Sequence, residues 1–198
     1  MSARPKNYNN MKYELTTPFN EDEIRQLKVG DIVSLSGTIY TGRDKFHKYV
    51  SEGNNVPINL ENSAIYHCGP VMIEKNGGWL VRAAGPTTSI REEPYMADVI
   101  ERTGIRCIIG KGGMKESTLN ACQEFGAVYL QAIGGAASLI ASCIKKVSNV
   151  YLLEEFGPAE AVWQLEVENF EVVVTMDSHM QSLHKQVEEN SKQKLENL

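Results

Sequence analysis

Ile105-Arg106-Cys107-Ile108-Ile109-Gly110-Lys111-Gly112-Gly113-Met114 is the stretch on which the fold turns. A short β-branched run stops abruptly at glycines, and a polar-to-apolar helical pattern, Ser117 to Phe125, follows and ends at Gly126. The same grammar recurs on both sides. Upstream, Trp79 to Gly85 runs into Pro86-Thr-Thr-Ser-Ile-Arg91 and a helical stretch to Arg102 with a stop at Gly104; downstream, Ala127 to Gln131 runs into Gly134-Gly135 and a small-residue helix to Lys146. Strand, glycine turn and helix in succession predict an α/β layer whose loops gather at one strand end, the place where such proteins bind ligands.

Working outward, Tyr13 to Leu15 reads as a short strand, and Asn20 to Gln26 as a brief helix with acids in its first turn. Asp31 to Tyr40 alternates apolar and polar residues as a half-buried strand does, and Thr41 to Lys48 suits a turn into a helix. Ala64 to His67 is a further strand, and Asn76-Gly77-Gly78 is a turn signal. The last third predicts strands over Asn149 to Leu153, Glu160 to Val167 and Phe170 to Thr175. From these limits, residues 1–12 form an N-terminal arm, residues 13–184 one catalytic-type domain, and residues 185–198 a polar tail, either a fraying helix or disordered.

The 198 residues are 42% hydrophobic and 23% charged, enough to bury a core without disulfides or metal. With 20 Lys+Arg against 25 Asp+Glu, the net charge of −5 argues against a non-specific nucleic-acid binder or an anionic-membrane binder, so any basic site is local. The four cysteines, Cys68, Cys107, Cys122 and Cys143, are spread singly with no CxxC spacing, which predicts no metal site of the chain's own and a reducing, cytoplasmic setting. Met1 to Asn10 lacks the apolar region of a secretory signal, and Ala132 to Ile144 is too short and too rich in small residues to span a bilayer.

Four loops concentrate groups suited to an anion. In Thr41-Gly42-Arg43-Asp44, Gly42 is either an ordinary turn residue or the hinge that lets Arg43 offer its planar fork to a carboxylate. Thr87, Thr88 and Ser89 are either caps of the coming helix or, with Arg91, an anion cradle at a helix start. Gly110 to Gly113 brings Lys111 and bare backbone close to a ligand, although Gly112 stands where a Walker motif needs Ser or Thr. Gly134 and Gly135 fit either tight packing or the same loop cluster. His47, four residues after Arg43, is a candidate to stand behind it; His67 and Cys68 are better read as core residues, and His179 and His184 as surface ones. The sequence offers cations and hydroxyls but no evident carboxylate pair, activated Cys or metal cluster. It resembles half of an active site.

Ser36 to Asp44, His67-Cys-Gly-Pro70, Ala84 to Arg91, Ile109 to Met114 and Gly134-Gly-Ala-Ala137 occur in order. Together they resemble the β-subunit, or C-terminal domain, of class I iron–sulfur fumarases and L(+)-tartrate dehydratases, over roughly Tyr13 to His179; Glu155 to Pro158 and Trp163 to Val167 add to the likeness. The resemblance implies a swivelling β/β/α three-layer domain and a hydro-lyase acting on a 2-hydroxy dicarboxylate, malate to fumarate ahead of L(+)-tartrate to oxaloacetate. It implies an α-subunit, in a heterodimer or heterotetramer, that carries the four-iron four-sulfur cluster, since none of the four cysteines here matches the family's cluster ligands. By motif position, Arg43, Arg91 and Lys111 would bind substrate carboxylates with Thr87, Thr88 and Ser89, and Thr87 would be catalytic. His47, Gly112, Gly134 and Gly135 would stand behind them. Whether Thr87 or an Asp of the partner takes the proton stays open, and the competing class is a dicarboxylate-binding or regulatory module without catalysis.

Overall fold

The computed structural model describes residues 11–196, so most of the N-terminal arm lies outside the described residues. In chain order the elements are β1 (Lys12–Thr16), α1 (Glu21–Gln26), β2 (Ile32–Thr41), α2 (Asp44–Ser51), β3 (Ala64–Tyr66), β4 (Val71–Lys75) and β5 (Gly78–Ala83). A 3₁₀ turn, Ser89–Arg91, precedes α3 (Glu93–Thr103), β6 (Cys107–Gly110), α4 (Glu116–Phe125), β7 (Val128–Gln131) and α5 (Ala137–Cys143). Then come β8 (Ile144–Tyr151), α6 (Leu153–Phe156), β9 (Val162–Met176) and α7 (Leu183–Glu196). The expected mixed α/β organisation is present. Gly104 and Gly126 end α3 and α4 in the left-handed conformation, as their sequence positions predict.

Strands β2, β3, β6 and β7 run parallel side by side, and β9 returns antiparallel to both β7 and β2. The pairings therefore form a ring, β2 to β3 to β6 to β7 to β9 and back to β2, with β1 and β8 attached at its edges. Side-chain alternation sorts the short parallel strands into two cores. Ala64, Tyr66, Cys107, Ile109, Val128 and Leu130 face one cluster with Leu35, Trp163, Leu165 and Val174. Ile65, Ile108 and Tyr129 face the other, against Phe46 of α2, Met96 and Ile100 of α3, and Leu119 of α4.

Four expectations differ. The helix expected to reach Lys146 stops at Cys143, because Ile144, Val147 and Val150 pair with β9 and pack on the first core while the lysines between them face outward. The two strands expected in the last third are one, β9: Asn169 takes φ 53° and its N–H donates to Ser36 Oγ, so the chain passes this point and both halves pair with β2. The turn at Asn76-Gly77 closes a hairpin whose first strand, β4, the sequence reading missed; Val71 and Ile73 are exposed there, so no buried alternation marks it. The tail from Lys185 is helical as part of α7, and His184 at its start is half-buried rather than on the surface.

Glu93, at the start of α3, reaches across to α4. Its carboxylate accepts from the N–H groups of Lys115, Ser117 and Thr118 and from the Thr118 hydroxyl, at 2.7–3.3 Å. These bonds satisfy free amides at the α4 N-terminus and tie two helix starts together. The fully buried Leu165, on the strand that closes the ring, is the position where core loss should be felt most directly. Leu165→Ala should cost about 2–5 kcal/mol of stability in urea unfolding, whereas Leu139→Ala, 66% exposed on α5, should stay within about 0.5 kcal/mol of wild type.

Candidate active site

The loops following β2, β3, β5 and β6 meet at the C-terminal ends of the parallel strands. Thr88 and Lys111 form an isolated parallel bridge: Ser89 N–H donates to Lys111 O at 3.0 Å, and Lys111 N–H to Thr87 O at 3.3 Å. Thr87 is bound to the loop after β3, its N–H and its hydroxyl both donating to the His67 carbonyl at 2.7 and 3.0 Å. Arg43 reaches the same loop, because Gly69 leaves it room. A Cβ on Gly69 would stand 2.8 Å from the Arg43 guanidinium and 2.7 Å from the Ala159 carbonyl.

Each arginine already holds a carboxylate. Arg43 Nη1 lies 3.2 Å from Glu160 Oε1 and donates to Ala159 O at 3.2 Å, while its buried Nε has no partner. Arg91 pairs with Asp44, the neighbour of Arg43 in sequence. That pair is more than half exposed on the arginine side, so it is weak and open to exchange with an incoming carboxylate. Among the described residues, the Lys111 ammonium has no ion pair or hydrogen bond. The loops that carry Arg43, Thr87, Thr88, Arg91 and Lys111 are thus neighbours.

Ser89 is placed differently. It is fully buried, and its hydroxyl is taken up inside the protein by His67 Nδ1 at 2.8 Å and Tyr129 OH at 2.9 Å. The cap reading of the hydroxyl run does not hold at the helix start. Thr88 makes no side-chain cap, Ser89–Arg91 is a 3₁₀ turn, and α3 begins with the acids Glu92 and Glu93, a poor place for an anion. Gly42 is not in the left-handed region; a Cβ there would meet Ile65 and Phe46 at 2.6 and 2.8 Å, so its role is close packing rather than a sharp turn. Gly112 and Gly113 do have positive φ, and the Gly113 surface is covered by the His184 ring. Gly134 and Gly135 are exposed, with nothing within 4 Å of an added Cβ, and the tight packing expected of them occurs instead between Gly85 and Ala137.

Sequence reasoning missed three acids and two buried partners. Asp44 and Glu160 were silent because ion pairing across the fold leaves no local pattern. Glu92 is 1% exposed, and one carboxylate oxygen has no partner; burial first, and Asp44 second, push its pKa up to about 7. His67 and Tyr129 sit in buried strand contexts that read as core. His47, expected behind Arg43, is there: its Nδ1 contacts the Arg43 carbonyl at 2.8 Å, and its Nε2 contacts His67 Nε2 at 3.2 Å. Burial lowers its pKa to about 4 and holds His67 well below the usual value, His47 adding to that effect.

Among the described residues, no group of three or more His, Cys, Asp or Glu could hold a metal. Cys68, Cys107 and Cys122 are buried and their thiols are pushed up by burial, Cys68 to about 12, the opposite of what a metal-bound thiolate requires. The described residues therefore offer no ready ligand set for an iron–sulfur cluster. No helix among the described residues is long and apolar enough to cross a membrane.

The ordered loops have known counterparts: residues 2–187 match the family described as Fumarase C-terminus. The chain belongs to the fumarase C-terminus family. A relative from Geobacillus stearothermophilus, provisionally named fumarate hydratase class I, is 56% identical over 91% of this chain, which spans only 35% of that relative's length. A Methanocaldococcus jannaschii protein, provisionally named L(+)-tartrate dehydratase subunit beta, is 45% identical over 89% of this chain and 93% of its own. The L(+)-tartrate dehydratase subunit beta of Escherichia coli K12 is 35% identical over 92% of this chain and 90% of its own.

Opposite pKa shifts at this family site give a signed pH prediction. His47 is neutral when folded down to about pH 4 but charges near 6.5 when unfolded, so its contribution to stability is lost as pH falls from about 6.5 towards 4. Glu92 does the reverse: its folded pKa of about 7 lies above the ordinary 4.5, so its contribution is lost as pH rises from 4.5 through 7. The two oppose each other between 4.5 and 6.5. Thermal melts over this range should show His47→Gln losing less stability on acidification than wild type, and Glu92→Gln losing more. Parallel slopes for all three proteins would contradict the assigned burial of these groups.

Proposed function

We propose that this chain is the β-subunit of a two-subunit hydro-lyase that reversibly removes water from a 2-hydroxy dicarboxylate, malate to fumarate being the favoured pair. The single observation that carries it is the adjacency of the loops bearing Arg43, Thr87, Arg91 and Lys111, in a chain of the fumarase C-terminus family. Three cations suit a substrate with two carboxylates. The corresponding fold is the swivelling β/β/α arrangement: helices cover one face of β3, β6 and β7, and the ring of strands closes over the other. The 56% identity to a relative with a fumarate hydratase name favours malate and fumarate. L(+)-tartrate is the second reading, supported by β-subunit relatives of similar length with that name.

The partner, on this proposal, is a cytoplasmic α-subunit in a heterodimer or heterotetramer, and it holds the four-iron four-sulfur cluster. When bound, that cluster supplies a Lewis acid for the departing hydroxyl. This chain's residues do the rest that concerns the carboxylates. Arg91 exchanges Asp44 for one substrate carboxylate, and Arg43 and Lys111 flank the other, with Thr88 at the cleft edge. As the C3 proton leaves, negative charge builds on the adjacent carboxylate, and the fixed cations favour that state more than the ground state. The hydroxyl proton of Thr87 is committed to the His67 carbonyl, which aims the oxygen's lone pairs elsewhere and suits it to accept a hydrogen bond from the substrate side.

Anaerobic reconstitution with the α-subunit tests this directly. Arg91→Ala and Lys111→Ala should each lower kcat/KM for malate by roughly 10- to 150-fold, the equivalent of about 1.5–3 kcal/mol for a charge-assisted contact. Wild-type kcat/KM in both variants on malate, fumarate and L(+)-tartrate would overturn the assignment. Calorimetric binding of a diacid by the chain, with no partner retained and no turnover on reconstitution, would favour the non-catalytic module instead.

A further inference from the structure

We propose that His47, His67, Ser89 and Tyr129 form a one-directional hydrogen-bond wire, running beneath the cleft, that holds the three cation-bearing loops in register for the substrate. It rests on the diacid reading of those loops. The contacts are continuous: Tyr129 OH to Ser89 Oγ at 2.9 Å, Ser89 Oγ to His67 Nδ1 at 2.8 Å, His67 Nε2 to His47 Nε2 at 3.2 Å, and His47 Nδ1 to Arg43 O at 2.8 Å. At the far end Tyr129 OH also bonds the Gly113 backbone. Ser89 and both histidines are fully buried, and Tyr129 is fully buried as well.

The direction follows by elimination. A carbonyl only accepts, so His47 carries its proton on Nδ1. Neutral His47 then accepts at Nε2, which makes His67 Nε2 the donor. Neutral His67 accepts at Nδ1, so the Ser89 hydroxyl donates to it. Ser89 Oγ is left to accept, Tyr129 donates, and the Gly113 N–H completes the series. Every proton has one place and every lone-pair demand is met. Charging His47 would reverse His67, turn the Ser89 hydroxyl towards Tyr129, leave the Tyr129 hydroxyl proton without an acceptor in the wire, and bury a cation. The charged and titratable groups facing the wire are Arg43, Asp44, Cys68, Glu92 and His184. The Arg43 carbonyl and Asp44 favour a charged His47, but burial outweighs both, and Asp44 is already engaged by Arg91.

What the wire joins gives it its role. Its ends are the Arg43 carbonyl and the backbone of the Lys111 loop, and its middle is Ser89, between Thr87 and Arg91. His67 holds both neighbours at once, Ser89 by its ring and Thr87 by its carbonyl. Gly110 shows how closely the wire is packed: a Cβ there would lie 1.9 Å from Ser89 Oγ and 3.1 Å from both His67 Nδ1 and Tyr129 OH. These are positioning residues, because none of the four side chains needs to touch substrate. Their effect is to fix the relative placement of Arg43, Thr87, Arg91 and Lys111, on which rate depends steeply.

Histidine tautomers are read by long-range proton–nitrogen NMR on the ¹⁵N-labelled full chain, with His47→Gln and His67→Gln used to assign the signals. Both rings should be neutral at pH 7, His47 protonated at Nδ1 and His67 at Nε2, and both should stay so at pH 6. A charged ring at pH 7, or the same tautomer in both, overturns the wire. Ser89→Ala should leave both tautomers in place, since the Arg43 carbonyl still sets them, but move the His67 Nδ1 resonance to that of an acceptor without a hydrogen bond, whereas Tyr129→Phe, which spares the Ser89 to His67 bond, should not. With the α-subunit present, Ser89→Ala should lower kcat for malate on the order of tenfold with little change in KM; unchanged kcat would reduce Ser89 to packing and overturn the positioning role. The two proposals fail separately: absence of turnover on any diacid defeats the hydro-lyase assignment, whereas the tautomers are measured on this chain alone.

Discussion

The antiparallel pairing of β2 with β9, Ile32 to Tyr40 against Gln164 to Val173, is the constraint from which the cleft follows. It closes the ring of strands, so the loops after β2 and β3 cannot separate without breaking a ladder on each side. Its two ends also act on the cations. At the N-terminal end of β9 the approach segment places Ala159 and Glu160 against Arg43, and the Trp163 N–H and the Ala161 carbonyl both bond the Thr41 hydroxyl beneath it. At the C-terminal end Thr175 holds His184, whose ring fills the space that Gly113 leaves open behind Lys111. A single strand thus braces two of the three cationic loops from opposite ends.

How far the sequence reaches depends on the range of the interaction. The parallel strands, the stops at Gly104 and Gly126, and the Asn76-Gly77 turn are local, and each is legible in a few neighbouring residues. The end of α5 at Cys143 is not, because pairing with β9, rather than helix propensity, decides what Ile144 to Val150 become. The proposed cations stand in recognisable motifs, Gly42-Arg43, Ser89 to Arg91 and Gly110 to Gly113. Their counter-charges do not. Asp44, Glu92 and Glu160 look like helix-start or loop acids, and only the closed fold brings them to the arginines.

Glycine and serine misled for a related reason. Gly42, Gly69 and Gly110 invite a reading as turns, yet their φ values are ordinary and their lack of a Cβ is what counts: each stands where another side chain must approach its backbone. Ser89 invites a reading as a ligand of substrate because it follows two threonines. The alternation of exposure along this loop, with Thr88 and Ile90 outward and Ser89 inward, assigns it to the interior instead. A hydroxyl run can serve two faces at once, one toward the cleft and one toward the histidines.

The division between those faces has an electrostatic consequence. Beneath the cleft the contacts are among neutral groups, and a neutral pair of buried histidines adds no positive charge to a place already holding Arg43, Arg91 and Lys111. Above, the balance is set by carboxylates: Glu160 on Arg43, Asp44 on Arg91, and Glu92 poised near pH 7 between them. On the proposed reading, a diacid bound at these arginines would add two negative charges beside Asp44 and Glu92. Repulsion then favours the protonated form of Glu92 and loosens Asp44 from Arg91, so the cations turn from the protein's own acids to the ligand's. An imidazolium under Ser89 would blunt that exchange by holding Asp44 in place. The neutrality of the interior and the exchangeability of the rim are therefore one arrangement, and the first is a condition for the second.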